Sequence, residues 1–175
     1  QDFAVLMMGL EGAGKSTFIG RAQEVLNFVK FKPGKVARTP VKKTPDTKIA
    51  FASSIMTFRD QSGAAARRPK WLNNISDHHS VCFIVDATNR EGINVAFTAL
   101  QSVLHSAWMT GVPLLILVNK LDLASAEPFE QIKQHFMPLL QQRPPGSAWG
   151  VMPLSALRGD GVSDAVMWLF TWSQT

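Results

Sequence analysis

Residues 9–16 read Gly-Leu-Glu-Gly-Ala-Gly-Lys-Ser, and these residue types carry the chemistry of phosphate binding. The glycines let the backbone curl, so that successive N–H groups and the start of a following helix face an anion. Lys15 is then expected to reach the terminal phosphates of a nucleotide, and the hydroxyl of Ser16 to bind Mg²⁺. The predicted phosphate-binding residues are Glu11, Gly12, Ala13, Gly14, Lys15, Ser16 and Thr17.

Residues 119–122, Asn-Lys-Leu-Asp, follow a continuous apolar run and indicate which base is bound. An aspartate carboxylate accepts hydrogen bonds from both the N1–H and the exocyclic amine of guanine, a pattern that adenine does not offer. We expect Asp122 to make this contact, while Asn119 and the stem of Lys120 brace the loop and cover the base. A backbone amide for the guanine carbonyl would come from the run Ser155, Ala156 and Leu157.

The rest of the sequence predicts alternating strands and helices that position these loops. Apolar runs predict strands at residues 3–8, 48–51, 55–59, 80–86, 113–118 and 149–154. Helices are predicted at residues 15–29, 93–109, 129–140 and 162–171, with Pro138 ending or kinking the third, and a loop at residues 60–76. This order predicts an α/β fold, a mostly parallel six-stranded sheet with helices on both faces, in a single domain over residues 1–175. Ligands then bind beyond the carboxyl ends of the strands, where the motifs lie.

Composition excludes several other classes of protein. The single cysteine, Cys82, cannot form an internal disulfide and lies in an apolar run, so we expect it in the core. No apolar run approaches the roughly 18–20 residues that span a bilayer. Nothing suggests a secretory route, and we expect an intracellular protein that is cytoplasmic or peripheral to a membrane.

The motifs resemble those of the Ras-superfamily small GTPases, and within them the Arf and Arf-like branch. The branch-level motifs are Gly-Leu-Glu at residues 9–11, Val-Asp-Ala at 85–87, Arg-Glu at 90–91, Asn-Lys-Leu-Asp at 119–122, Gly-Asp-Gly at 159–161 and Trp-Leu at 168–169. The resemblance covers essentially the whole chain but is poor from about residue 28 to 80, where the family has its switch regions. It implies a P-loop NTPase fold, GTP or GDP and Mg²⁺ as cofactors, and a protein effector at the switches. Family members also carry an amphipathic, often myristoylated helix before the first strand, so membrane association through such a helix stays open here.

In the second switch, residues 58–63 (Phe-Arg-Asp-Gln-Ser-Gly) stand where the family has Asp-x-Gly-Gly-Gln. The resemblance implies that Asp60 holds the Mg²⁺ shell through a water and that Gly63 offers its N–H to the γ-phosphate. Alignment through residues 68–71, which are similar to the family's Arg-Pro-Leu-Trp, puts Ala64 where a glutamine orients the attacking water. Alanine cannot position a water, so we assign no catalytic residue and expect slow or absent intrinsic hydrolysis. The alternative is a misalignment by a few residues in a divergent loop.

The first switch offers no clear match for the family's threonine, which binds Mg²⁺ and the γ-phosphate. Thr39 and Thr44 are the main candidates. Counted along the sequence, Thr39 lies slightly farther from Asp60 than the family's threonine does, and Thr44 lies slightly closer. Thr39 is slightly favoured, but it puts Pro45 inside the following strand, which disfavours ladder pairing. Thr44 avoids that and shortens the hairpin instead, and a third alternative is that neither contacts the metal.

Residues 30–48 hold seven of the chain's 18 basic residues against one acid, Asp46, and residues 67–70 add three more. Such a run is either a solvated face or a surface for an anionic partner, which could be an acidic protein, lipid headgroups or RNA phosphates. No aromatic residues are interleaved at a regular spacing, so no specific nucleic-acid motif is predicted. We expect the five tryptophans to lie mostly in the core, with Trp71, at the end of the second switch, as the candidate for an effector contact.

Two functions fit these observations. The first is a regulatory switch, in which GTP orders both switch loops and recruits a protein effector. Its nominal reaction is hydrolysis of GTP to GDP and phosphate, with weak activity. The alternative is a catalytically degenerate GTPase-fold subunit of a larger assembly that keeps GTP bound as a structural ligand. An ATP-dependent kinase on the same loop is disfavoured by the guanine motif.

Overall fold

The computed structural model describes residues 2–26, 46–51 and 54–175. The strands in these ranges are β1 (Phe3–Gly9), β2 (Asp46–Phe51), β3 (Ser54–Asp60), β4 (Ser80–Asp86), β5 (Leu114–Asn119) and β6 (Trp149–Pro153). The α-helices are α1 (Lys15–Leu26), α2 (Arg90–Leu104), α3 (Phe129–Gln141) and α4 (Val162–Trp172). Two 3₁₀-helical segments, Ala65–Asp77 and Ala107–Met109, precede β4 and follow α2.

The strands form one sheet in the order β2-β3-β1-β4-β5-β6. All neighbours are parallel except the β2–β3 hairpin, which confirms the predicted α/β fold. Met7 pairs with Asp60 across β1 and β3, and Asp86 pairs with Asn119 across β4 and β5. Because parallel strands end at the same edge of a sheet, this register brings the motif residues to one end of the molecule.

Two hydrophobic clusters cover the two faces of the sheet. Leu6 and Met8 belong to the cluster that packs against α2 and α3, while Val5 and Met7 belong to the one under α1 and α4. Every residue of β5 is buried, as expected for a parallel strand covered on both faces. Burial of each large apolar side chain contributes about 1.5–3 kcal/mol, so the central strands are a rigid support for the loops at their ends.

Helix α3 does not end early at Pro138, one of the two predicted effects of the proline, but continues to Gln141. Phe136 and Leu139 are buried and hold the last turns against the core. The missing N–H of Pro138 deprives only the carbonyl one turn earlier, at Gln134, which is an exposed residue that water can reach. Tertiary packing therefore outweighs the local effect of the proline.

The limits of other elements also differ from the predictions. The side chain of Asn89 accepts a hydrogen bond from the amide of Gly92 at 2.9 Å, and this cap starts α2 at Arg90 rather than residue 93. The helix ends at Leu104 instead of continuing to 109, and Ser106 caps the 3₁₀ segment that follows. The predicted loop at residues 60–76 is largely 3₁₀-helical. Helix α1 is described to Leu26, and its predicted last residues lie outside the described part of the chain.

Candidate nucleotide-binding site

The phosphate-binding loop joins β1 to α1. Its backbone has positive φ at Gly9, Gly12 and Gly14. Gly14 also has no room for a side chain, because a Cβ there would lie 2.2 Å from Nδ2 of Asn119. Since glycine adopts such backbone conformations at little cost, the chain can turn sharply into the N-terminus of α1, the end of a helix that favours an anion.

Lys15, the first residue of α1, is only 7% exposed and folds back over this loop. Its Nζ donates hydrogen bonds to the carbonyls of Gly9 and Leu10, both at 2.9 Å. Burial lowers the pKa of Lys15, while the charges of Asp60 and Glu11 act in the opposite direction. Because this ammonium is partly desolvated, a nearby anion such as a phosphate group would stabilise its charged form.

Ser16 and Asp60 meet beside the loop. Ser16 Oγ donates a hydrogen bond to Oδ2 of Asp60 at 2.7 Å, and the register that sets Asp60 opposite Met7 places the carboxylate there. A hydroxyl and a carboxylate are the hard oxygen ligands that Mg²⁺ takes together with phosphate oxygens and waters. The residues present therefore fit Mg²⁺. Thr39 and Thr44, the candidates for a further ligand, lie outside the described residues.

Asn119 joins the phosphate-binding loop to the predicted guanine-binding residues. It is 3% exposed, and its Nδ2 donates a hydrogen bond to the carbonyl of Ala13 at 2.9 Å. Its Oδ1 accepts one from the amide of Ala156 at 3.0 Å. One side-chain amide thus fixes the position of the phosphate-binding loop relative to residues 155–157.

Asp122 is held by the loop that follows β6. Ser155 Oγ donates a hydrogen bond to its Oδ1 at 2.8 Å, and Nε of Arg158 lies 4.0 Å from its Oδ2. The side chain of Asp122 is 8% exposed and belongs to the lining of a cavity of about 830 Å³, together with Ser155 and Arg158. That cavity is lined by β6, α4 and the loops beside them rather than by residues 9–17.

Lys120 is the one non-glycine residue with positive φ, 66°, in the described part of the chain. Its Nζ donates a hydrogen bond to Oδ2 of Asp86 at 2.7 Å, and Thr88 donates two to Oδ1 of the same carboxylate. Burial alone would raise the pKa of Asp86, but the hydrogen bonds from Lys120 and Thr88 outweigh it and lower that pKa. Asp86 therefore stays ionised at neutral pH and anchors the Lys120 side chain, a role that the sequence analysis did not assign to it.

Arg21 is a second residue of the site that the sequence analysis missed. It lies on α1, and its guanidinium donates hydrogen bonds to the carbonyls of Ala156 and Leu157. Its Nη1 also forms an ion pair with Glu24 at 2.8 Å. The contact ties the helix that follows the phosphate-binding loop to the loop after β6. No local pattern signals it, because the partners are distant in sequence.

The second switch packs directly against the phosphate-binding loop. Gly63 is buried, and a Cβ there would lie 2.3 Å from the amide nitrogen of Glu11. Only glycine permits so close an approach of two backbones. Ala64 follows it and is half-buried. The structure therefore places Gly63 at the mouth of the loop, and Ala64 is the next residue along the chain.

Trp71 lies in the core, as expected for most of the tryptophans, and its selection as the candidate effector contact is wrong. It is 1% exposed and packs edge-on against Phe83, with ring centroids 6.0 Å apart. Its Nε1 donates a hydrogen bond to the carbonyl of Ser62 at 3.0 Å. The 3₁₀ segment turns the indole into the core, where it anchors the backbone of the second switch.

Comparison with known proteins agrees with this geometry. The model of the ADP-ribosylation factor family matches residues 1–172. ADP-ribosylation factor-like protein 3 of Saccharomyces cerevisiae is 31% identical over 169 residues, 97% of this chain and 84% of that protein. ADP-ribosylation factor K of Dictyostelium discoideum is 29% identical over 171 residues, with the same two coverages, 97% and 84%. In fold, the chain is similar to the Arl6 BBS3 small GTPase from Trypanosoma brucei, solved with the bound nucleotide analogue GppNp, with a TM-score of 0.77, 22% identity and coverages of 99% and 98%.

The fold and the site define a small GTPase of the P-loop class. The chain belongs to the ADP-ribosylation factor family, as its match over nearly the whole length shows, and it is an Arf-like protein within that GTP-binding class. In the described part of the chain, no helix is both long and apolar enough to cross a membrane.

Proposed function

We propose that the site binds GTP and GDP with Mg²⁺. The observation that carries the proposal is the bridge made by Asn119, which assembles the two predicted motifs into one site. In this proposal residues 11–17 hold the phosphates, Asp122 reads the base, and residues 155–157 offer an amide to the base carbonyl. Ser16 binds Mg²⁺ directly and Asp60 binds it through a water.

We infer that intrinsic GTP hydrolysis is slow or absent. The attacking water in this class of reaction is oriented by a side chain with hydrogen-bonding groups, and Ala64 has none. Gln61 lies three residues before Ala64, and its backbone N–H donates a hydrogen bond to the carbonyl of Met7 at 3.0 Å, so its backbone continues the β1–β3 ladder and does not stand at the position of Ala64. The site is therefore better suited to holding GTP than to cleaving it.

The proposed partner of the second switch is a protein. The 3₁₀ segment and α2 enclose an apolar groove of about 570 Å³, with Pro69, Leu72, Val95 and Ala99 in its lining. Apolar grooves of this size on a surface are typical of ligand- or protein-binding sites. The anionic partner of residues 30–48 and association with a membrane stay predictions, since most of that segment lies outside the described residues.

The alternative function, a subunit that keeps GTP as a structural ligand, is favoured by the anchoring of the second switch. Trp71 holds the carbonyl of Ser62, and Arg68 Nε donates a hydrogen bond to the carbonyl of Gly63 at 3.0 Å. A switch segment that is fixed by a buried indole and a guanidinium has less freedom to change between GTP- and GDP-bound forms.

The nucleotide that co-purifies with the protein tests the proposal. After denaturation, chromatography of the released nucleotide is expected to show GTP at close to one per chain. Recovery of GDP alone would show that turnover occurs in spite of Ala64 and would favour an ordinary switch. Protein that neither carries nor takes up a guanine nucleotide would contradict the proposed function altogether.

The Ala64 assignment has a separate test. Ala64→Gln is expected to raise the single-turnover hydrolysis rate, because it restores a group that can orient water. Ala65→Gln is the matched control, since it adds the same side chain one residue later at an exposed position. A larger gain from Ala65→Gln than from Ala64→Gln would show that the alignment of this loop is shifted.

A further inference from the structure

Arg68 stands out among the cations of the second switch because its guanidinium is held beside the phosphate-binding loop. Its Nε donates a hydrogen bond to the carbonyl of Gly63 at 3.0 Å. Gly63 in turn lies so close to the loop that a Cβ there would be 2.5 Å from the carbonyl oxygen of Gly9 and 2.3 Å from the amide nitrogen of Glu11. One residue therefore separates the anchored guanidinium from the backbone that cradles the phosphates.

The terminal amino groups of Arg68 have no protein partner among the described residues. In residues 2–26, 46–51 and 54–175 they form no hydrogen bond and no ion pair. By contrast, Arg59 is held by Asp46 in an ion pair of 2.9 Å, and Arg90 by Glu127. Arg68 is half-buried.

The anchored guanidinium of Arg68 also lies near the ammonium of Lys15. Lys15 Nζ donates a hydrogen bond to the carbonyl of Gly9 at 2.9 Å, and a Cβ on Gly63 would lie 2.5 Å from the same carbonyl oxygen. Two cations that disfavour each other across the mouth of a phosphate-binding loop are both stabilised when a multiply charged anion lies between them.

We propose that Arg68 binds the terminal phosphate of GTP from within the same chain and so makes the site prefer GTP to GDP. This inference rests on the proposed function, since it assigns a further residue to the same nucleotide site. The planar guanidinium offers two N–H groups in a fork that matches phosphate oxygens, and the bond from Nε to Gly63 orients it in advance. GDP has no group at that position. Ala64 has no hydrogen-bonding side chain that could orient a water. Arg68 instead supplies a cation that retains GTP.

The test compares the equilibrium dissociation constants of a fluorescent non-hydrolysable GTP analogue and of fluorescent GDP, with Mg²⁺, for the wild type, Arg68→Gln and Arg67→Gln. Loss of a charge-assisted hydrogen bond at a partly buried site corresponds to about a 10- to 100-fold loss of affinity. We expect Arg68→Gln to weaken binding of the GTP analogue by that factor and binding of GDP by less than about threefold. Arg67 is an exposed neighbour of the same charge, and Arg67→Gln is expected to leave both constants unchanged.

Arg68→Lys separates binding of the phosphate from support of the loop. Lysine keeps the charge but loses the Nε bond to Gly63, so it is expected to recover part of the GTP preference. The inference fails if Arg68→Gln weakens the binding of both nucleotides equally. It also fails if Arg68→Gln lowers the melting temperature and both affinities while Arg68→Lys recovers nothing, because Arg68 would then only support the loop. Equal binding by wild type and Arg68→Gln would also overturn it. A wild type that binds no guanine nucleotide would instead refute the proposed function itself.

Discussion

Asn119→Ala is the change that best tests how the site is held together. The substitution removes the partner of the Ala156 amide and of the Ala13 carbonyl, and both of those residues are 1% exposed. A buried polar group that loses its partner costs about 1–3 kcal/mol, so the loss at two groups should lower the free energy of unfolding by about 2–6 kcal/mol. For a chain of this size, a loss of about 3 kcal/mol lowers the melting temperature by about 6–12 °C.

The assay is urea unfolding of nucleotide-depleted protein, followed by circular dichroism, with GTP affinity measured on the folded protein. Asn94→Ala is the matched control, because Asn94 is exposed on α2 and alanine is the better helix former. We expect the control to equal or slightly exceed the wild type, and Asn119→Ala also to lose about tenfold or more in GTP affinity as the two loops separate. An unfolding free energy within about 0.5 kcal/mol of the wild type would refute the view that this amide assembles the site.

Three further predictions address the phosphates, the base and the pH dependence. Lys15→Ala should abolish GTP and GDP binding, since it removes the buried ammonium over the loop; tight binding of fluorescent GDP would contradict the phosphate assignment. Asp122→Asn should exchange the preference for guanine for one for xanthine in competition assays, because an amide offers a donor where the carboxylate only accepts. Asp77→Asn, at the exposed end of the 3₁₀ segment before β4, is its control, and unchanged GTP affinity in Asp122→Asn would count against the base contact. Burial lowers the pKa of His78 from its usual 6.5, so the folded protein binds a proton there less readily than the unfolded chain does. The contribution of the neutral side chain to the free energy of unfolding is therefore full above pH 6.5, and it is lost as the pH falls through the lowered pKa. Unfolding free energies at pH 7.5 and 5.5 should therefore differ less in His78→Gln than in the wild type, and identical differences would exclude His78 as the cause.

The sequence predicts most of the fold because its signals are local. The apolar runs at residues 80–86 and 149–154 become β4 and β6 within one residue at either end. β4 is buried almost throughout and needs no polar alternation, so its hydrophobic residues alone identify it. β6 is an edge strand whose residues are half-buried or exposed, and its apolar run is still a local signal. Local propensity fails at Pro138, where buried Phe136 and Leu139 keep α3 helical to Gln141.

The conformation of the second switch could not be predicted from local signals. Its composition, three cations and few apolar residues over 60–76, is that of a loop. Most of this switch is 3₁₀-helical in the structure, because Trp71 packs in the core against Phe83 and the indole N–H of Trp71 donates a hydrogen bond to the carbonyl of Ser62. Those partners are set by the arrangement of β1, β4 and the segment itself, and no sequence window contains them all.

By itself, the sequence determined the chemistry available to this protein. The loop at residues 9–16 and the motif at 119–122 are contiguous, so that residue type and spacing alone predict a phosphate site and a guanine site. Tertiary structure decided how these parts are joined, through Asn119 between Ala13 and Ala156, Arg21 across to the loop after β6, and Arg68 held at the mouth of the site. The physical reason is that such contacts are made by single side chains between segments distant in sequence. Their geometry exists only after the sheet has brought the ends of its strands together.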